Sequence, residues 1–126
     1  MNIIDMYTIM KNMNLKNPQD IEKVLYNNKS YPSICIPKIN CSIKKNDIFD
    51  VIEKYHLGKI NKIDLIKVGS YQKGFIHIKW NNETRSQSIR KLILTNNTFK
   101  VIYDYTNGWY WKCSASISEK NLPKIY

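Results

Sequence analysis

The chain has 126 residues, enough for one domain with a single modest core. Hydrophobic residues make up 43%, aromatic residues 12% and charged residues 24%, which excludes a disordered chain. Lys plus Arg total 20 against 10 Asp plus Glu, a formal net charge of +10. That excess favours polyanionic partners, nucleic acid or an anionic membrane surface, and carries no information about fold. Mutational drift in an AT-biased genome, rich in Asn, Lys and Ile codons, accounts for the basicity equally well.

Cys35, Cys41 and Cys113 are odd in number and irregularly spaced, and His56 and His77 stand at no ligand-like interval from them. A metal site is therefore not expected. Asp5 and Lys11 interrupt the only apolar N-terminal run, so no secretory signal is expected, and no stretch is long and apolar enough to cross a bilayer. Reduced thiols in a cytosol-like compartment follow.

In chain order, residues 1–30 read as a helical extension. Ile3, Ile4, Met6, Tyr7, Ile9 and Met10 form a short amphipathic helix. Asn17 then serves as N-cap, Pro18 as first helical residue and Asp20 as a first-turn charge for a second helix burying Ile21, Val24 and Leu25. Short helices are marginal alone, so docking on the chain's own domain is expected. The main domain spans residues 31–116, and residues 117–126 form a tail.

Ser33 to Ile39 reads as a first strand, with Ile34 and Ile36 inward and Cys35 outward. Lys44 to Tyr55 is a helix presenting Ile48, Val51, Ile52 and Tyr55, with Ser42 as cap and Gly58 as stop. Ile60 to Val68 is a second strand burying Ile63 and Leu65. Lys73-Gly74-Phe75-Ile76-His77-Ile78-Lys79-Trp80 is the third. It places Phe75, His77 and Lys79 on one face and Ile76, Ile78 and Trp80 on the other. Two flat rings bracketed by lysines suit single-stranded nucleic acid, because rings stack on bases while ammoniums meet phosphate. From Asn81 or Asn82 a further helix turns Thr84, Ser88, Ile89, Leu92 and Ile93 toward the sheet, leaving Arg90 and Lys91, like Lys44 and Lys45, as solvent-facing charge. Thr98 to Tyr103 is a fourth strand with Phe99, Val101 and Tyr103 on one side.

The octapeptide resembles the third-strand signature of RNA recognition motif domains. Lys73, Gly74 and Phe75 match in place, Ile78 and Trp80 match in character, His77 stands where a second aromatic is usual, and Ile76 departs. Cys35 stands where the first strand of such domains carries an exposed aromatic. The expected fold is α+β: a ferredoxin-like β-α-β-β-α-β unit, its four-stranded antiparallel sheet carrying two helices on one face. The N-terminal helical extension and a C-terminal aromatic extra strand are added to it. Gly58-Lys59-Ile60, Ile63-Asp64-Leu65-Ile66, Phe75 to Trp80, Val101-Ile102-Tyr103-Asp104 and Trp109-Tyr110-Trp111-Lys112 together look like a family of small, RNA-recognition-motif-like proteins of giant DNA viruses, mimivirus relatives and large algal viruses among them. That resemblance covers roughly residues 31–116. It implies the fold, and a setting in the host cytoplasm or the virion.

Asn107-Gly108 is a strong turn signal, after which Trp109 to Ser114 returns as the extra strand or lies across the sheet. Trp109 and Trp111 share one face of it and Tyr110 takes the other. Two readings stand: the tryptophans assist Phe75 in gripping a base, or they cover the open face as packing, which is the commoner use of large aromatics. Lys73 and Lys79 are the first choices for phosphate contacts. Lys38, Lys62 and Lys100 join them if they lie on the open face, whereas Asp64 and Asp104 there would repel phosphate.

No close acid pair, Gly-rich phosphate loop or Ser-His-Asp set is legible, so neither catalysis nor a cofactor is expected. Acylphosphatase-like enzymes share the topology but need an Arg-bearing loop after the first strand, here Lys38-Ile39-Asn40-Cys41-Ser42. The expected function is binding of single-stranded RNA, with single-stranded DNA an open alternative. The competing reading is a protein-interaction or virion-associated module with a viral or host partner or a second copy, and with no membrane role.

Overall fold

The computed structural model describes residues 2–117. Nine elements follow one another: α1 (Ile3–Asn12), α2 (Asp20–Asn27), β1 (Ser33–Asn40), α3 (Lys45–Glu53), β2 (Gly58–Val68), β3 (Tyr71–Trp80), α4 (Thr84–Leu94), β4 (Phe99–Asp104) and β5 (Trp109–Ser116). The fold is α+β, with four helices and one antiparallel sheet in the order β2-β3-β1-β5-β4. The sheet has five strands rather than four. The aromatic strand after Asn107-Gly108 belongs to it and separates β1 from β4.

Alternation along β3 decides the two faces. Ile76, Ile78 and Trp80 are buried, while Phe75 and His77 are half-buried and Lys79 is exposed. The inward set joins Ile34, Ile36 and Ile39 of β1, Ile48 and Ile52 of α3, Ile63 of β2, Ile93 of α4, Val101 of β4 and Trp111 and Cys113 of β5 in one apolar cluster. Leu65 packs against its margin, as its parity with Ile63 requires. Gly58 opens β2 at φ 155 and lies so close to β3 that an added Cβ would stand 2.1 Å from the Lys79 carbonyl oxygen. Only glycine fits that approach.

A second cluster joins α1 and α2 to Tyr31 and Leu94. The Asn12 side-chain Nδ2 donates to the Leu94 carbonyl at 2.6 Å, so the N-terminal helices dock on the chain's own α4. Several local expectations shift. Helix α2 begins at Asp20, two residues after Pro18, although the Asn17 Oδ1 still accepts the Gln19 amide as a cap would. The N-cap of α3 is Lys44, whose amide donates to Asp47, while Ser42 turns back to Asn40. On α4 the buried residues are Ser86, Arg90, Ile93 and Leu94, with Thr84, Ser88 and Leu92 outward. The helix is rotated because it meets two surfaces: the sheet through Ile93, and the N-terminal helices through Leu94.

Arg90 is therefore no solvent-facing charge. It is 1% exposed and donates from Nε to the Tyr31 carbonyl at 2.7 Å, and from its two terminal nitrogens to the Leu25 and Asn28 carbonyls. Burial pushes the guanidinium down to about 10, still charged at neutral pH. The expected tail at 117–126 lies outside the described residues, apart from Ile117.

Candidate nucleic-acid interface

The face away from α3 and α4 is built by strand parity. Antiparallel pairing sets Cys35 and Asp64 on either side of Phe75, Lys62 opposite His77, and Lys59 opposite Lys79. Phe75, His77, Lys73 and Lys79 thus share the solvent-facing side of β3, as expected from the octapeptide. On β4 and β5 the register puts Lys100 opposite Lys112, and Ile102 opposite Tyr110, on this same side. The Lys100 ammonium lies 4.6 Å from the Tyr110 ring centroid, and that of Lys38 lies 5.8 Å from the Tyr71 ring. Such cation–ring contacts hold the lysine stems along the rings while leaving the charge at the surface. Lys38, Lys62, Lys73, Lys79 and Lys100 therefore all border the open face.

The tryptophans do not. Trp111 is 3% exposed in the core and stacks on Tyr103 at 4.6 Å between centroids, with ring planes 18° apart. Trp109 has the same parity, is exposed at the strand end, and lies 6.3 Å from Tyr103. Neither covers Phe75 and neither stands beside it. The rings that accompany Phe75 on the open side are Tyr71 and Tyr110, which the sequence reading did not single out. The signal for Tyr110 was its opposite parity to Trp109 and Trp111, and for Tyr71 its shared parity with Phe75.

A polar chain crosses three strands beside Phe75. Ser33 Oγ lies 2.9 Å from His77 Nδ1, and His77 Nε2 lies 2.8 Å from Asp64 Oδ2. Lys62 Nζ approaches the other Asp64 oxygen at 3.4 Å. The hydrogen bond from His77, followed by Lys62, holds the Asp64 carboxyl below its ordinary range. With the imidazole proton on Nε2, Asp64 accepts it and Nδ1 accepts from the Ser33 hydroxyl. The sequence did not reveal this Ser-His-Asp trio, because its members lie far apart in the chain. Beside the trio, β1 pairs with both β3 and β5 at Ile34 and Cys35, and β3 runs between β2 and β1, so the strand backbone there is engaged in ladders. What the trio does is fix the imidazole plane, while Lys62 offsets the charge of the carboxylate that would otherwise oppose phosphate. Asp104 is likewise tied down, its carboxylate accepting from the Asn107 amide and side chain and held below its ordinary range by those bonds.

β1 and β5 pair only from Ser33–Ser116 to Cys35–Ser114. Beyond that point Pro37 has no N–H to donate, and β1 shifts register against β3 between Ile36 and Ile39. β5 continues along β4 instead, and the two strands part. Between them lies a cleft of about 510 Å³ whose lining includes Tyr71, Tyr103, Tyr110, Trp111, Lys38 and Lys112 and no carboxylate.

Among the described residues there is no cluster of His, Cys, Asp and Glu that would hold a metal ion, and no helix long and apolar enough to cross a membrane. No protein-family model, curated protein or solved structure matches the chain.

Proposed function

We propose that this protein is an RNA-recognition-motif-like module that binds single-stranded nucleic acid, RNA before DNA, on the open face of its sheet. The observation that carries the reading is the solvent-facing position of Phe75 and His77 beside Lys73 and Lys79, on a face that Lys38 and Lys100 also border, with the neighbouring Asp64 carboxylate already engaged by His77 and Lys62. Stacking rings with flanking ammoniums match what single strands offer, which is unpaired bases and a phosphate chain.

The ferredoxin-like reading of the fold is supported by the order β1-α3-β2-β3-α4-β4 and by the run β2-β3-β1 in the sheet. In that reading β5 takes the place beside β1 and pushes β4 outward. The resemblance to small proteins of giant DNA viruses then sets the module in a host cytoplasm or a virion.

The test is titration of a mixed-sequence single-stranded RNA across a salt series. Engagement of four phosphates predicts a log–log salt slope of about −3. Phe75→Ala removes one stacking platform and weakens binding by about 1–3 kcal/mol, roughly 5- to 150-fold. The second reading, a protein-interaction module, is favoured by one feature: Ile3, Ile4 and Tyr7 of α1 are largely exposed. Undetectable RNA binding at low salt together with a stable homodimer establishes that reading and removes the first.

A further inference from the structure

The parting of β1 and β5 opens the sheet itself. Here the rings of Tyr103 and Trp111 line a recess bordered by Lys38 and Lys112. Tyr71 stands on the β3 side and Tyr110 on the β5 side, each with a lysine ammonium at its ring. At about 510 Å³ the recess falls within the range of small-ligand sites, about 300–1,000 Å³, and is far too small for a helix or a folded partner. Strand edges facing it lie beyond the last β1–β5 pair, so their polar groups remain outside that ladder. Aromatic walls select a planar apolar body. Two lysines with no acid in the lining select an anion attached to it.

We propose that the cleft between β1 and β5 is a subsite for one nucleotide unit, its base against Tyr71 and Tyr110 and its phosphate at Lys38 and Lys112. The choice of a nucleotide rests on the nucleic-acid reading of the open face. The subsite would give a strand lying over Phe75 a fixed end, because the recess admits one unit and closes on Trp111.

The experiment is amide chemical-shift mapping of the full chain with adenosine 5′-monophosphate, with adenosine, and with a single-stranded RNA octamer. The expected result is saturable shifts at residues 38–40, 70–71 and 110–112, with the monophosphate bound several-fold more tightly than the nucleoside. Tyr110→Ala weakens both ligands about tenfold or more. Lys38→Gln with Lys112→Gln abolishes the preference for the monophosphate while sparing adenosine. Thermal melting shows that these surface variants remain folded. Equal binding of the two ligands, shifts located elsewhere, or none at millimolar monophosphate overturns the subsite. If the octamer still binds through Phe75 in any of those cases, the open-face reading survives alone. If the monophosphate fills the cleft but no octamer binds, the subsite stands and the platform falls.

Discussion

Tyr103 and Trp111 stack in the core with ring centroids 4.6 Å apart, joining two neighbouring strands on the side that faces the helices. This pair explains why the tryptophans of β5 do not belong to the open face. Once Val101 and Cys113 are committed to the core, the parity of β4 and β5 takes Trp111 with them.

The two tryptophans of β5 should therefore behave differently. Trp111→Ala leaves a cavity beneath the sheet and is expected to cost about 3–5 kcal/mol in urea denaturation. Trp109→Ala, at a residue 56% exposed, is expected to cost under about 1 kcal/mol. Equal losses from the two substitutions would contradict this assignment.

Arg90 fastens the segment between α2 and β1 through three carbonyls, those of Leu25, Asn28 and Tyr31. Arg90→Met takes a charged donor away from the Leu25 and Tyr31 carbonyls in a buried site, while the Asn28 carbonyl keeps the Tyr31 amide, and a loss of about 3 kcal/mol is expected. Arg90→Lys should recover only part of it, since an ammonium does not reproduce the guanidinium fork. Hydrogen exchange should speed up first at residues 20–31. A change below about 0.5 kcal/mol for Arg90→Met would show that the fork is dispensable.

Burial pushes the Cys113 thiol up to about 12 from an ordinary 9.0, and the Tyr31 phenol up to about 12 from 10.0. In each case the folded chain keeps a proton that the unfolded chain gives up. The contribution to stability is full below about pH 9 and is lost as pH rises toward 12. The slope due to one such group is at most about 1.4 kcal/mol per pH unit. Unfolding free energy should fall from pH 9 to pH 10, and Cys113→Val should flatten that fall. A wild-type and variant pair with the same slope over this interval would refute the assignment.

Within each strand, residue order alone divides the side chains between the two faces. Alternation in Lys73 to Trp80 separates Phe75 and His77 from Ile76 and Ile78, and the apolar set of β1 identifies the buried side. In β5 the apolar parity holds Trp109, Trp111, Cys113 and Ala115 and the other holds Tyr110, Lys112, Ser114 and Ser116, so period two already sends the tryptophan set to the core. What only pairing decided is the strand's place in the sheet, between β1 and β4, with Val101 opposite Trp111. The same holds for Arg90, whose solvent-like chemistry in sequence is overridden by two surfaces closing on α4 at once. It holds also for Ser33, His77 and Asp64, which are strangers in the chain and neighbours only across three strands. A side chain's alternation is local, set by the backbone of its own strand. Its partners are long-range, and tertiary packing alone supplies them.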